Sequence, residues 1–175
     1  IALAEHLAGS EETFAGLMNE YAKRLGLTGT HYANATGLSA EGHLTTARDV
    51  ARLSRALIRD FPEHYKDYAI KEYSWNGITQ SNRNGLLWRD STVDGMKTGF
   101  TDTAGYCLVS SALRDDMRLV AVVLGTDSPA ARERDGRLRE HRIEKRRAIR
   151  RVAPRRPHIV AHRTEHVENT VLFGQ

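Results

Sequence analysis

Two apolar runs constrain the fold more than any other part of the chain. They span residues 106–112 and 118–125, the second contains three valines, and a polar Arg-Asp-Asp segment at residues 114–116 lies between them. Short apolar runs bounded by polar turn residues are typical of buried strands. The sequence therefore predicts an antiparallel hairpin, with the preceding stretch, residues 94–100, as a neighbouring strand.

Helical patterns fill most of the chain before these strands. Residues 1–8 and 11–25 have helical spacing, with Gly9 and Gly26 as the predicted stops and Ser10 as the predicted N-cap of the second helix. The apolar residues of the second helix share one face, which we expect to be buried in the core. These residues are Phe14, Leu17, Met18, Tyr21 and Leu25.

A segment without regular periodicity, residues 27–44, follows the second helix and is rich in Gly, Thr and Asn. We expect a long surface loop, of the kind that often borders a functional site. A third helix is predicted from an N-cap at Thr45 or Thr46 to the Phe61-Pro62 pair. Helices first and strands later predict an α/β (α+β) sandwich with an antiparallel sheet.

The length and the apolar pattern bound the class of protein. A chain of 175 residues fits one globular unit, and its apolar runs are far shorter than the ~20 residues that span a bilayer. The chain starts in helical spacing without an initiator methionine or a signal peptide pattern, so we expect its N-terminal part to be missing. The single cysteine, Cys107, lies in an apolar run, which predicts a buried and inert thiol.

The charge is unevenly distributed along the sequence. Residues 1–128 carry 13 Lys/Arg and 16 Asp/Glu, whereas residues 129–175 carry 13 Lys/Arg, 12 of them Arg, against six acidic residues. We therefore expect a domain over residues 1–128 and an atypical Arg-rich tail over residues 129–175, either translated from a shifted reading frame or disordered. A nucleic-acid or anionic-surface binding tail and a solvated face are the other two interpretations.

The stretch with the clearest chemical content is Lys97-Thr98-Gly99, within residues 94–100. It places an ammonium, a hydroxyl and a backbone without a side chain next to one another on a predicted strand, which suits an anionic, peptide-like substrate. The alternative is structural, because a lysine on an edge strand is often only a solvated charge.

Several stretches in a fixed order match a known family. They are Asp94-Gly95-Met96-Lys97-Thr98-Gly99-Phe100-Thr101, then residues 104–112 and 117–125, and upstream Leu17-Met18-Asn19, Thr46-Ala47-Arg48-Asp49 and Asn82-Arg83-Asn84. Over residues 1–128 the chain resembles the serine-type D-alanyl-D-alanine carboxypeptidases, which are low-molecular-weight penicillin-binding proteins. The resemblance implies the β-lactamase/transpeptidase-like fold, with the N-terminal part of the catalytic domain missing.

The family uses three motifs, Ser-x-x-Lys, Ser-x-Asn and Lys-Thr-Gly. No Ser-x-x-Lys occurs in the sequence. A literal Ser-x-Asn occurs at Ser74-Trp75-Asn76, but it immediately precedes Gly77 in a predicted hairpin turn, after the helices that the family's motif should precede. We interpret this match as coincidental and expect the nucleophile upstream of Ile1.

The resemblance implies a role for five residues. Lys97 would supply catalytic positive charge, Thr98 would bind the terminal carboxylate of the substrate, and Gly99 would let the substrate backbone lie along the strand. The N–H of Phe100 would be an oxyanion donor. The guanidinium of Arg83 would also bind the carboxylate, although an arginine after a hairpin is more often in a surface ion pair.

The implied function is hydrolysis of the terminal D-Ala from peptidoglycan pentapeptide stems through a serine acyl-enzyme, in the cell envelope outside the cytoplasmic membrane. β-Lactams would inhibit the parent protein, and the fragment itself would be inactive. Neither a metal nor another cofactor is expected, because the eight histidines lack metal-ligand spacing. Thr36 lies where some relatives carry histidine, so no catalytic histidine is assigned.

Two groups of alternatives remain open. Within the same chemistry, the parent could be a class A-like β-lactamase or a D,D-endopeptidase. In a different class, it could be a basic nucleic-acid-binding protein that uses the Arg-rich tail. The resemblance implies no nucleic-acid partner, and membrane association only through parts absent from this chain.

Overall fold

The computed structural model describes residues 1–137 and the backbone of two later strands, residues 159–164 and 167–174. Helix α1 (Ala2–Ala8) ends at Gly9, whose φ of 82° is left-handed, and the Ser10 hydroxyl caps α2 (Glu11–Arg24) by accepting from the N–H of Thr13. Thr46 caps α3 (Ala47–Asp60) in the same way. All three boundaries were predicted and are confirmed. The helices are α1 (Ala2–Ala8), α2 (Glu11–Arg24), α3 (Ala47–Asp60), α4 (Pro62–Tyr65), α5 (Leu86–Arg89) and α6 (Pro129–Asp135), with a 3₁₀ turn at Lys66–Ala69.

The strands form two antiparallel sheets. The strands are β1 (Glu72–Trp75), β2 (Ile78–Ser81), β3 (Val93–Thr101), β4 (Gly105–Arg114), β5 (Met117–Thr126), β6 (Ile159–Thr164) and β7 (Val167–Gly174). The first sheet is the hairpin β1–β2, and the second has the strand order β3-β4-β5-β7-β6. The predicted hairpins at Asn76-Gly77 and between β4 and β5 are therefore confirmed.

Helices cover both faces of the main sheet. On one face, Ala47 and Ala51 of α3 pack against Val120 and Val122 of β5. On the opposite face, α5 packs on β3 and α6 packs on β4 and β5, and the core there contains Leu86, Leu87, Leu108, Ala112 and Ala121. This arrangement confirms the predicted sandwich with an antiparallel sheet.

Two burial predictions are wrong. Leu17 and Tyr21 of α2 are 46% and 60% exposed, while the buried residues of that helix are Ala15 and Ala22. Periodicity shows which residues share a face, but the neighbours of that face are set by the rest of the fold. Cys107 is only half-buried, because it lies opposite Gly99 of β3, which has no side chain to cover it.

The loop over residues 27–44 is anchored at both ends. The carboxylate of Asp49, 2% exposed, accepts from the N–H of Gly29 at 2.7 Å, and Ser39 donates to the Thr101 hydroxyl at 3.1 Å. The loop therefore borders the end of β3, which agrees with the prediction of a surface loop beside the site.

The tail contributes more structure than its composition indicates. Helix α6 and strands β6 and β7 lie in residues 129–175, and β7 pairs with β5. Residues 138–158, which are part of the predicted Arg-rich tail, lie outside the described residues. The domain boundary after residue 128 and the shifted reading frame stay predictions. Within the part of the protein that the structure describes, none of the helices combines the length and apolar character that crossing a bilayer requires.

Candidate active site

The outer edge of β3 is unpaired among the described residues, and the register shows which backbone groups it presents. The turn at Asp115-Asp116 leaves Arg114 opposite Met117. The residues that flank a two-residue turn form a hydrogen-bonded pair, and such pairs recur at every second residue. Counting back along β4, the N–H and C=O groups of Leu108 therefore point to β5 and away from β3.

This parity fixes the direction of the peptide groups of β3. Leu108 lies opposite Thr98, and Tyr106 lies opposite Phe100. Because Leu108 bonds to β5, the N–H and C=O groups of Thr98 point to the free edge, and those of Phe100 do the same. A donation of 2.9 Å from the Thr126 hydroxyl to the C=O of Tyr106, on the β5 side, agrees with this assignment. The N–H that was predicted as an oxyanion donor thus lies at the free edge.

Lys97 is exposed, and its ammonium group donates to the C=O of Thr98 at this edge. Its side chain is on the same face of the sheet as Val109, the residue opposite it, which packs toward α3. Within residues 1–137 Lys97 has no carboxylate partner, so its charge is available to a ligand.

The next three residues, Thr98, Gly99 and Phe100, differ in solvent exposure and in the space beside them. Thr98 lies on the opposite face and is only 9% exposed, so its hydroxyl is largely covered. A Cβ at Gly99 would meet only the Cβ of Cys107, at 3.8 Å, so internal packing does not require glycine there. Phe100 is 52% exposed and stacks on Tyr106 with 4.3 Å between ring centroids. Open space therefore lies beside Gly99 and Phe100.

Arg83 lies on the turn between β2 and α5, where two asparagines hold the backbone. Asn82 donates to the C=O of Ile70, and Asn84, which is 1% exposed, donates to the C=O of Gly95, both at 3.0 Å. The Arg83 side chain is exposed and makes no ion pair within residues 1–137. The structural alternative for Arg83, a surface ion pair, is not observed there.

Asn84 had no predicted role, although the Asn82-Arg83-Asn84 triplet is among the stretches that resemble the family. Asn84 connects this turn to β3, because its side chain donates to the C=O of Gly95, two residues before Lys97. An arginine between two asparagines after a hairpin was the only available signal for this arrangement.

A polar cluster beneath the start of β3 supports the same strand. The Tyr65 hydroxyl donates to Asp94 at 3.0 Å, and Arg118 bonds both the other oxygen of Asp94 and the hydroxyl of Ser111. Burial, together with the Asp94 charge, raises the pKa of Tyr65 above its ordinary value, although Ser111 and Arg118 act in the opposite direction. Tyr65 therefore remains a neutral donor that ties β3 to α4.

The literal Ser-x-Asn lies in the separate hairpin sheet. The Ser74 hydroxyl bonds that of Thr79 at 2.7 Å, and Asn76 occupies the turn with a φ of 48°. The described residues contain no group of three or more His, Cys, Asp or Glu side chains that could hold a metal ion.

Comparisons with known proteins agree with the geometry. The family model described as D-alanyl-D-alanine carboxypeptidase matches residues 1–128. The D-alanyl-D-alanine carboxypeptidase DacC of Escherichia coli K12 is 55% identical over 133 residues, which are 75% of this chain and 33% of that protein. DacA of the same strain is 49% identical over 138 residues, which are 78% of this chain and 34% of that protein.

Solved structures give the same result. Penicillin-binding protein 5 from Haemophilus influenzae is 44% identical with a TM-score of 0.74, over 77% of this chain and 40% of that protein. Cefotaxime-bound penicillin-binding protein D2 from Listeria monocytogenes is 34% identical with a TM-score of 0.69, over 76% of this chain and 55% of that protein. The chain spans about a third of the length of the curated relatives above. The resemblance is confirmed, and the chain belongs to the D-alanyl-D-alanine carboxypeptidase family.

Proposed function

We propose that the protein containing this chain removes the terminal D-Ala from peptidoglycan stem peptides, and that this chain supplies the wall of the cleft that holds the substrate. The observation that carries the proposal is the free edge of β3, where the ammonium of Lys97 and the N–H of Phe100 lie along one row of backbone groups with no partner strand among the described residues. A peptide can add to such an edge as an extra strand.

In the proposed reaction, the substrate backbone lies along β3 with its scissile carbonyl at the N–H of Phe100. A serine hydroxyl from outside this chain attacks that carbonyl, the C–N bond breaks, and the terminal D-Ala leaves with a proton on its amine. Water then hydrolyses the acyl-enzyme. The N–H of Phe100 stabilises the oxyanion, and Lys97 supplies positive charge beside the reacting groups.

The substrate carboxylate would be held by Arg83, whose exposed guanidinium has no ion-pair partner within residues 1–137. Thr98 and Gly99 complete the proposed set, with the hydroxyl of Thr98 at the carboxylate and Gly99 leaving room for the backbone. Because Thr98 is 9% exposed, its proposed role requires a small movement of the neighbouring residues that cover its hydroxyl.

β-Lactams are a second class of ligand that could bind at the same edge. Penicillin-binding protein D2 from Listeria monocytogenes has been solved with bound cefotaxime and with bound ampicillin. We propose that β-lactams acylate the parent of this chain as well, and that it acts in the cell envelope, outside the cytoplasmic membrane, where its stem-peptide substrate is located.

The test is a chimera in which this chain replaces the matching segment of Escherichia coli DacC. The chimera should release D-Ala from an acyl-D-Ala-D-Ala peptide and bind a fluorescent penicillin covalently. Lys97→Ala should lower kcat/KM at least about 100-fold, because charge stabilisation in the transition state is lost. Lys71→Ala, at another exposed lysine, is the matched control.

The isolated 175-residue protein is the second arm of the experiment. It should form no adduct with the fluorescent penicillin, because its sequence contains no Ser-x-x-Lys. Stoichiometric labelling of the isolated protein, or an inactive chimera that folds, would contradict the proposal.

A further inference from the structure

Arg132 of α6 is a buried cation that the proposed reaction does not use. It is 7% exposed, and within the described residues its Nε has no hydrogen-bond partner and its guanidinium has no carboxylate partner. Burying a charge without a counter-ion costs free energy. The other contacts of the Arg132 guanidinium should therefore explain why it is buried.

Those contacts join the Arg83 turn to the sheet. The Nη2 of Arg132 donates to the C=O of Arg83 at 3.3 Å, and its guanidinium lies 5.7 Å from the centre of the Tyr106 ring. Tyr106 in turn stacks on Phe100. One arginine therefore contacts the backbone that carries Arg83 and also the ring beside the proposed oxyanion donor.

The next residue of α6 holds the same turn from a second point. The carboxylate of Glu133 pairs with Arg89 at 3.3 Å, and a Cβ placed on Gly85 would clash with the Glu133 carboxylate. Glu133 thus packs directly on the backbone of Gly85. Neighbouring residues of α6 contact both ends of the segment from Arg83 to Arg89.

We propose that Arg132 is a positioning residue, which fixes the Arg83 turn relative to the free edge of β3 and so aligns Arg83 with the carboxylate of the substrate. The inference rests on the proposed function of Arg83. If Arg132 has this role, α6 is part of the catalytic domain, although α6 lies beyond the residues that the family model matches.

The structural test uses hydrogen exchange on the whole 175-residue protein. The amides of Asn84, Leu86 and Leu87 are hydrogen-bonded within the turn. In Arg132→Met they should exchange about tenfold faster, as expected for one lost hydrogen bond. Arg134→Met is the matched control, because Arg134 is an exposed α6 arginine that pairs only with Asp135 among the described residues.

Unchanged exchange at these amides in a folded Arg132→Met protein would overturn the proposal. Should that variant not fold, Arg132→Lys decides the matter, since lysine keeps the charge and loses the guanidinium plane. Faster exchange confined to residues 84–87 would support the proposal, and either native exchange there or a uniform change along the sequence would overturn it.

The catalytic test uses the chimera with Escherichia coli DacC. Arg132→Met should raise KM about tenfold for a substrate that ends in a carboxylate, with little change in kcat, and should not affect the corresponding C-terminal amide. In an Arg83→Ala background it should have no further effect, because the two changes act on one interaction. Equal losses for the acid and the amide would refute positioning.

The two tests separate the two proposals. An inactive chimera with native residues contradicts the proposed function, whereas the exchange experiment on the isolated protein still decides whether Arg132 positions the turn.

Discussion

The side-chain amide of Asn84 donates to the backbone carbonyl oxygen of Gly95 at 3.0 Å, and this bond joins the turn that carries Arg83 to the strand that carries Lys97. Asn84 is 1% exposed, and its side-chain oxygen, Oδ1, accepts from the N–H of Leu86. The position therefore requires a neutral amide, which can donate on one side and accept on the other.

Asn84→Asp should destabilise the protein by about 1–3 kcal/mol, because a carboxylate cannot donate to Gly95 and leaves its C=O unsatisfied. The free energy of unfolding from urea titrations measures this effect. Gln80→Glu makes the same chemical change at an exposed position and should stay within about 0.5 kcal/mol of the native protein. Equal effects of the two substitutions would show that the Asn84 bond is unimportant.

Phe100→Pro tests the oxyanion donor without breaking the sheet. The N–H of Phe100 points to the free edge, where proline is tolerated, so the variant should fold with a nearly native melting temperature. In the chimera it should lower the acylation rate about 100- to 1000-fold, as expected for one lost donor.

Phe100→Ala separates the loss of the ring from the loss of the N–H, and should retain most of the rate. Gly99→Pro is the converse control: its N–H points to β4, so proline there should destabilise the sheet. A fully active Phe100→Pro enzyme would exclude this N–H as an oxyanion donor.

Gly95→Ala tests how closely β3 packs on Tyr65. A Cβ at Gly95 would lie 2.5 Å from the Tyr65 hydroxyl, which is itself bonded to Asp94. We expect a loss of about 1–3 kcal/mol in the free energy of unfolding, because the buried ring has to shift. Gly99→Ala, where the nearest atom is 3.8 Å away, is the control for adding a methyl group to β3. A native-like stability of Gly95→Ala would show that the ring moves freely.

Asp90 should make the stability depend on pH in the acid range. Burial acts to raise the pKa of Asp90, but hydrogen bonds from Thr92 and the ion pair with Arg114 outweigh it, so the pKa is below the ordinary value. A lowered pKa means that ionised Asp90 stabilises the fold above the ordinary Asp pKa, and that this contribution is lost as the pH falls through the pKa of the folded state.

Asp90→Asn should therefore cost stability at neutral pH, and its difference from the native protein should shrink in acid. Urea titrations at neutral and acid pH measure the difference, and Asp102→Asn controls for the removal of one negative charge at an exposed site. A difference for Asp90→Asn that grows as the pH falls would contradict a lowered pKa of Asp90.

Local signals predicted the boundaries of the elements. Ser10 and Thr46 each satisfy a free N–H of their own helix, and Asn76-Gly77 adopts the left-handed turn that joins β1 to β2. Each of these features depends on residues within four positions along the sequence. They could therefore be predicted without any knowledge of the tertiary structure.

The parts that were missed depend on distant partners. The burial of Asn84 depends on Gly95, and the position of Arg132 depends on Arg83, 49 residues away. The exposed Tyr21 of α2 shows the same limit, since a helical pattern does not reveal what covers it. For the candidate site, the positions of Lys97 and Phe100 on one strand followed from the sequence, whereas the direction of their peptide groups required the register with β4.

The open edge of β3 has a consequence for how the protein behaves at high concentration. A strand that keeps its outer N–H and C=O groups free for a peptide can accept a second copy of itself, which is the usual route to sheet aggregation. Antiparallel pairing of two copies across the middle of β3 would bring their Lys97 ammonium groups close together. The repulsion between these charges opposes that dimer, so the residue proposed to assist catalysis also keeps the edge from self-association.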